Sequence, residues 1–250
     1  MNFLLVNDDG VQSEGIFELA AALAKEGTLF LCAPDRQQSG KSHSITLMES
    51  VEITEVDFPG ADHAWQVKGT PADCTKLGLQ KAEEYGVKID IVFSGINKGC
   101  NLGADTLYSG TVGAAMEGAL QGIRAIAVSV NDHDAHHFDT ACHLAVQCIP
   151  KIMEMEPGAV LNINCPNVPR EEVKGIKYVS LGPTYFVDGF VLKEGNEYML
   201  EGSIPDFSRL GDAIDVGANT LGYATITPLK YDFTDWSNMD RVSDWNLTLD

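Results

Sequence analysis

Short apolar runs alternate with helix-like segments over residues 1–130, and this alternation constrains the fold more than any other feature of the sequence. The strand-like runs lie at 3–6, 28–33, 45–55, 64–68, 89–93 and 125–130, and the helix-like segments lie at 16–25, from 70 onward and at 111–122. Strands that alternate with helices build βαβ units, and βαβ units build parallel sheets with helices on both faces.

The pattern changes after about residue 175. A further helix at 136–155 and a strand at 160–163 continue the alternation, whereas the later strands, at 177–181 and 223–227, are short and separated by Gly and Pro. We therefore expect an α/β, Rossmann-like core over residues 1–175, with a mostly parallel sheet, helices on both faces and the functional site. Residues 176–250 are predicted to form a smaller, strand-rich antiparallel appendage.

Charge and composition narrow the classes of partner. The 250 residues include 17 basic and 36 acidic side chains, which gives a net charge of −19. Such a surface repels nucleic-acid polymers and anionic membranes, so we expect neither as a partner. A small phosphate ester is still compatible with this charge, because a bound cation can invert the local field.

Other sequence-wide features are consistent with a cytoplasmic protein. No apolar run reaches the ~18 residues of a membrane helix, and the first residues lack the basic region of a signal peptide. None of the six cysteines forms a C-x-x-C pair, so neither a zinc site nor a disulfide framework is predicted.

The first candidate site is LLVNDDG at residues 4–10, where an apolar run ends on Asp8, Asp9 and Gly10. Open α/β sheets place their ligand crevice at the carboxyl ends of strands. Two adjacent carboxylates there repel each other, and a hard divalent cation is the usual way to keep both ionised. A plain turn that caps the next helix is the alternative.

Two more polar loops follow strand-like runs, RQQSGKSHS at 36–44 and SGINKGCN at 94–101. Loops after parallel strands converge at one edge of the sheet. Their oxygen-rich side chains suit Mg²⁺, Mn²⁺ or Ca²⁺ rather than zinc. Lys41 and Lys98 are the nearest basic residues, and either could help to neutralise a bound anion.

An anion site is predicted at YSGTVGA, residues 108–114. Ser109 or Gly110 would cap the next helix, and its free N–H groups, with the Thr111 hydroxyl, would bind a phosphate. A simple helix cap is the alternative. Neither GxxxxGK[ST] nor GxGxxG occurs, which disfavours triphosphate hydrolysis and hydride transfer. Glu117 lies within this helix, and its orientation is not predicted.

The segment NDHDAHH at 131–137 contains the Asp and His side chains typical of a metal-binding cluster. It follows a strand and opens a helix, so a capped, solvated loop is the preferred interpretation.

Several blocks together resemble the stationary-phase survival protein SurE family. The blocks are NDDG (7–10), APDRQQSGKSHSITL (33–47), VKGTPADCTKLGL (67–79), VFSGINKGCNLGADTLYSGTVGAAMEGAL (92–120), GIRAIAVS (122–129) and GYATITPL (222–229). The resemblance implies a metal-dependent 5′/3′-nucleotidase that forms dimers or tetramers and exchanges C-terminal segments, so the appendage at 176–250 is expected to make oligomer contacts. It also implies a metal bound by Asp8, Asp9, Ser39 and Asn97.

The resulting interpretation is a phosphomonoesterase that hydrolyses nucleoside monophosphates with one divalent cation, Mg²⁺ or Mn²⁺. Asp8, Asp9 and Asn97 are the expected catalytic residues, and Ser109, Gly110 and Thr111 are expected to bind the phosphate. Water activated at the metal is the expected nucleophile, and a phosphoryl group carried on Asp9 is the rival. A phosphatase of another small ester or of polyphosphate, and a nucleotide sensor without turnover, remain alternative functions.

Overall fold

The computed structural model describes residues 1–249, in which a nine-stranded sheet is covered by helices and a two-stranded sheet lies apart. The strands are β1 (Asn2–Val6), β2 (Thr28–Pro34), β3 (Ile53–Glu55), β4 (His63–Val67), β5 (Ile91–Lys98), β6 (Arg124–Asn131), β7 (Val160–Pro166), β8 (Ile176–Tyr178), β9 (Val187–Leu192), β10 (Tyr198–Ser203) and β11 (Ala224–Leu229). The helices are α1 (Glu14–Leu23), α2 (Pro71–Glu84), α3 (Gly110–Leu120), α4 (Asp139–Met153), α5 (Asp215–Thr220) and α6 (Met239–Ser243), with short 3-10 turns at Gly103–Leu107, Arg170–Glu172, Ser208–Leu210 and Trp236–Asn238.

The order of the large sheet is β3-β4-β2-β1-β5-β6-β7-β11-β8. The six strands from β4 to β7 run parallel, whereas β3 and β11 are antiparallel to their inner neighbours. The chain runs outward from β1 to β2 and β4, and then returns to β5 on the other side of β1. The gap between β1 and β5 is therefore the point where the strand order reverses, which is where open α/β sheets bind ligands.

The helices pack on both faces of this sheet because strand side chains alternate between them. In β1, Phe3 and Leu5 join one apolar cluster with residues of α1 and α4. Leu4 and Val6 join the opposite cluster with residues of α2 and α3. All four side chains are fully buried, and burial of each contributes roughly 1.5–3 kcal/mol. The α/β fold class predicted from the sequence is confirmed.

The start of α2 is fixed by a capping box. The Thr70 side chain accepts a hydrogen bond from the backbone N–H of Asp73 at 3.1 Å, and the Asp73 carboxylate accepts one from the backbone N–H of Thr70 at 2.9 Å. Asp73 also accepts from the backbone N–H of Thr46 at 2.9 Å and from its hydroxyl at 2.6 Å. The sequence predicts this helix start, and the bonds to Thr46 add an anchor for the preceding loop.

Two elements differ from the sequence expectation. Residues 45–52 are not a strand, and only β3 pairs with β4. β5 does not end at residue 93 but continues to Lys98, because pairing with β6 resumes after a register shift between Ser94 and Asn97. The shift is a bulge, and bulges re-aim side chains at the ends of strands.

The C-terminal part of the chain divides in two. β11 pairs antiparallel with β7, and β8 pairs with β11, so both extend the large sheet. β9 and β10 form the separate antiparallel sheet, and all of their residues are exposed. The domain boundary at 175/176 stays a prediction. Within residues 176–249, the β9–β10 hairpin is separate from the large sheet, whereas β8 and β11 belong to it.

Two further findings concern the whole described chain. All six cysteines are free thiols. No helix within residues 1–249 combines the length and the apolar character needed to cross a membrane.

Candidate active site

Asp8 and Asp9 lie directly after β1, at the point where the strand order reverses. Asp8 is only 3% exposed and Asp9 is half-buried. Gly10 turns the chain with φ +97°, and a Cβ there would lie 3.2 Å from the backbone carbon of Arg36. The turn therefore brings the loop at 36–44 against the acidic pair, as the convergence of loops predicts.

The acidic pair touches the start of α3. The Thr111 hydroxyl donates to Asp8 Oδ1 at 2.5 Å. A Cβ on Gly110 would lie 2.9 Å from both Cβ and Oδ2 of Asp8, so the approach needs a residue without a side chain. Ser109 caps the helix, and its hydroxyl accepts from the backbone N–H of Val112 at 3.0 Å. The predicted cation site and the predicted anion site are thus in direct contact.

The end of β5 completes this side of the site. The backbone N–H of Lys98 donates to Asp9 Oδ2 at 2.9 Å. Asn97 is 8% exposed, and its Nδ2 donates to the carbonyl of Gly99 at 2.7 Å. This bond orients the side-chain amide. No donor from residues 1–249 forms a hydrogen bond with its oxygen, Oδ1, which is therefore free to bind a ligand. Asn97 and Asp9 are therefore held by the same short stretch of backbone.

Ser39 lies on the loop that crosses the acidic pair. The backbone N–H of Gln38 donates to the carbonyl of Asp8 at 2.7 Å, and the backbone N–H of Ser42 donates to the carbonyl of Tyr108 at 3.0 Å. Ser39 itself is exposed, and its hydroxyl makes no hydrogen bond to any described residue. The loop is fixed on both sides of Ser39 while the hydroxyl stays available.

Burial disfavours the charged form of both carboxylates. Burial raises the pKa of Asp8 to about 6, although the hydrogen bond from Thr111 lowers it, and the charge of Asp9 adds to the rise. Burial also raises the pKa of Asp9, against the hydrogen bond from the Lys98 N–H. The charges of Lys98 and His133 also lower the pKa of Asp9, although the Lys98 ammonium forms its ion pair with Glu14 at 3.0 Å. Lys98 therefore contacts Asp9 through its backbone N–H, and a role of its side chain in neutralising a bound anion stays a prediction.

These observations fit a hard divalent cation. Neither Asp8 nor Asp9 has an ion pair with a basic side chain in the described part of the chain. One buried and one half-buried carboxylate, a free amide oxygen and a free hydroxyl are the hard donors that Mg²⁺ and Mn²⁺ prefer. A cation would supply a direct positive partner, which no basic side chain within residues 1–249 provides to either carboxylate.

The histidine-rich segment at 131–137 does not assemble as a cluster. Across residues 1–249, no three His, Cys, Asp or Glu side chains form a group that could hold a metal. His136 pairs with Asp134 at 3.4 Å on the surface, and Asp132 accepts from the backbone N–H of Asp134 at 2.9 Å. Unlike the other histidines of this segment, His133 lies beside the loop that follows β5. Its ring would be 3.0 Å from a Cβ placed on Gly99. The sequence did not predict that approach.

The sequence also missed the surroundings of Glu117. This carboxylate is buried in α3 and contacts His43 and Lys76. A buried partner for Glu117 could have been predicted from the helix sequence GTVGAAMEGAL. A lone acidic residue on an otherwise apolar helix needs such a partner when it is buried.

The fold and the site define a Rossmann-like α/β protein with an acidic site beside a helix N-terminus at the carboxyl edge of its sheet. A family model described as Survival protein SurE matches residues 3–188. The chain belongs to the SurE family.

Named relatives match over nearly their whole length. A 5′-nucleotidase SurE of Clostridium beijerinckii is 39% identical over 254 residues, covering 97% of this chain and 98% of that protein. A 5′-nucleotidase SurE of Heliobacterium modesticaldum is 36% identical, covering 98% of this chain and 92% of that protein. The crystal structure of the SurE protein from Aquifex aeolicus superposes with a TM-score of 0.84 at 35% identity, covering 97% of this chain and 98% of that one.

Proposed function

We propose that this protein is a 5′/3′-nucleotidase, a metal-dependent phosphomonoesterase that hydrolyses nucleoside 5′- and 3′-monophosphates to nucleoside and phosphate. The relatives above carry the name 5′-nucleotidase. The observation that carries the proposal is the 2.5 Å bond between Thr111 and Asp8, because it joins a cation site to an anion site. A phosphate ester bound with a metal needs both sites side by side.

In this proposal Asp8, Asp9, Ser39 and Asn97 hold one divalent cation, Mg²⁺ or Mn²⁺. The bound cation supplies Lewis-acid stabilisation of the charge on the phosphoryl oxygens. The two carboxylates provide the negative charge that such a cation needs, and the amide and hydroxyl add neutral donors.

The start of α3 binds the phosphate. Backbone N–H groups in the first turn of a helix have no partner within the helix, and the helix dipole favours an anion there. The Ser109 hydroxyl accepts the hydrogen bond from the Val112 N–H, so its role is to shape the turn. Gly110 and Thr111 are the residues of this turn that lie against Asp8. Donors fixed in this way stabilise negative charge without reorganising during the reaction.

Asp9 orients the attacking water in this mechanism. Its Oδ2 is held by the N–H of Lys98, whereas its Oδ1 has only a 3.5 Å approach from the Gln37 side chain. Asp8 is buried against Thr111 and supports the cation. Attack by Asp9 itself, which gives a phosphoryl-enzyme, is the rival route, and trapping of a phosphorylated Asp9 would select it.

The test is phosphate release from 5′-AMP, 3′-AMP, ribose 5-phosphate and polyphosphate. We expect both nucleotides to be hydrolysed fastest, EDTA to abolish release, and Mn²⁺ or Mg²⁺ to restore it. Calorimetric titration of the stripped protein with Mn²⁺ gives a readout that does not depend on turnover. Full activity in stripped protein would refute metal dependence, and nucleotide binding without phosphate release would indicate a sensor.

Location and assembly remain predictions. We expect a cytoplasmic homodimer or homotetramer, and sedimentation of the purified protein measures the oligomeric state directly.

A further inference from the structure

Glu117 is a buried carboxylate that three donors share. It is 2% exposed in α3. Lys76 Nζ lies 2.7 Å from Oε1, His43 Nε2 lies 2.9 Å from Oε2, and Gln121 Nε2 donates to Oε1 at 3.1 Å. Burial raises the pKa of Glu117, but the bonds from Lys76, His43 and Gln121 outweigh it and the net pKa is lowered. The carboxylate is therefore held ionised by donors that come from three parts of the chain.

One of these donors belongs to the loop that carries Ser39. His43 lies four residues after Ser39, and its ring is the side chain through which the loop contacts Glu117. The backbone of the same loop lies directly on α3, because a Cβ on Gly113 would come within 2.4 Å of the carbonyl oxygen of Ser42. The loop thus meets the helix twice, once by backbone packing and once through a charged contact.

The other anchors of the loop lie on either side. The backbone N–H of Gln38 holds its start to the Asp8 carbonyl, and the backbone N–H of Ser42 donates to the Tyr108 carbonyl. At its end, the Thr70 hydroxyl donates to the carbonyl of Ser44 at 2.7 Å. Between these points the contact of His43 with Glu117 is the one side-chain tie of the loop to α3 among the described residues. It acts on the helix whose first turn forms the proposed phosphate site.

We propose that Glu117 is a positioning residue that sets the place of Ser39 relative to the acidic pair by holding His43. This inference rests on the proposed function, because it assumes that Ser39 binds the cation. Glu117 itself touches neither the cation nor the substrate in this scheme. Lys76 keeps the carboxylate charged, and His43 transmits its position to the loop.

The test compares matched variants by calorimetric titration of stripped protein with Mn²⁺. His43→Ala should weaken Mn²⁺ binding by about tenfold or more, the scale for losing a residue that orients a ligand. Glu117→Gln should weaken it similarly, and the double variant should be no weaker than either single variant, because both act through one contact. Lys81→Met, which removes a lysine of the same helix that pairs with Glu84 rather than Glu117, is the control and should stay within about twofold. His43→Gln restores a side-chain N–H and should recover part of the affinity.

Turnover separates positioning from general loss of structure. With saturating Mn²⁺, His43→Ala should release phosphate from 5′-AMP within a few-fold of wild type, because the metal restores the site. Mn²⁺ affinity equal to wild type in His43→Ala would overturn the inference. So would a loss in Lys81→Met as large as in His43→Ala, or losses that track the unfolding free energies. Wild-type protein that binds no Mn²⁺ would instead refute the proposed metal site itself.

Discussion

β1 and the β9–β10 hairpin are both apolar, yet they have opposite surroundings. The residues Phe3 to Val6 are fully buried, with paired strands on both sides and helices on both faces. In the hairpin, Phe190 is 73% exposed, and Tyr198 and Met199 also face solvent. Apolar side chains become core only where neighbouring elements cover them. β1, which leads into the site, is covered in this way, whereas the hairpin leaves its apolar side chains available for contact with another molecule.

The largest effect that separates these regions is expected from Asp8→Asn and Asp9→Asn. Each variant replaces a charged ligand with a neutral one, and phosphate release should fall by at least roughly 10²-fold. The unfolding free energy of stripped protein should not fall, because burial already disfavours the charge of both carboxylates. The measurements are kcat/KM and denaturant unfolding. Near-native turnover at ordinary metal concentration would show that the residue is not a ligand.

Asn97→Ala should have the next largest effect, because it removes the amide held by Gly99. We expect Mn²⁺ affinity to fall about 10- to 100-fold, with a loss of turnover. The matched control replaces His133, His136 and His137 together with Ala and should stay within a few-fold, since hard cations gain little from imidazole. A triple variant that loses its metal while Asn97→Ala keeps it would reverse the assignment.

Gly110→Ala and Gly189→Ala compare one methyl group in the two regions. At Gly110 the methyl would press on Asp8 at 2.9 Å, which should cost about 1–3 kcal/mol of stability and at least tenfold in turnover. At Gly189, in β9, nothing lies within 4 Å of the added methyl, so stability and turnover should be unchanged or slightly improved. Equal behaviour of the two variants would contradict the contrast between a packed site and an open hairpin.

A smaller effect is expected on the pH dependence of stability in Glu117→Gln. The pKa of Glu117 is lowered in the folded protein, so its carboxylate stabilises the fold at pH values above the unfolded pKa of 4.5. That contribution disappears as the pH falls through the folded pKa. Wild type should therefore exceed the variant by about 1–2 kcal/mol near pH 7 and converge with it in acid. Urea unfolding at pH 7 and at pH 3.5 checks this, and a constant difference would argue against it.

Phe190→Ser should have the smallest effect on the site. The side chain lies on the exposed hairpin, so turnover of 5′-AMP should stay within about twofold of wild type. Sedimentation of the same variant reports whether the hairpin takes part in association. A large loss of turnover without a change in association would show that the hairpin supports the site within one chain.

The sequence was most informative where local chemistry decides the structure. The start of α2 near residue 70 and the apolar run that forms β1 follow from short-range patterns, and the convergence of loops on Asp8 follows from the parallel arrangement of the strands. The pairing of β8 and β11 with the large sheet depends on distant partners, and strand patterns do not name partners.

The same limit applies within the site. The sequence predicts that Asp8, Asp9 and Thr111 belong to the site, and the structure brings these three residues together. It does not predict that the Lys98 ammonium turns to Glu14, because an ion pair between segments 84 residues apart leaves no local signal. Which charged groups meet is therefore decided by the tertiary fold rather than by local sequence.

The lengths of the outermost strands have a consequence for the behaviour of the protein in concentrated solution. β3 and β8 close the two sides of the large sheet, and each has only three residues. An unpaired strand edge is a template on which another chain can add a strand, and a short edge presents few free N–H and C=O groups. The nine-stranded sheet is thus poorly suited to nucleate amyloid-like stacking, even though its inner strands are among the most apolar segments of the chain.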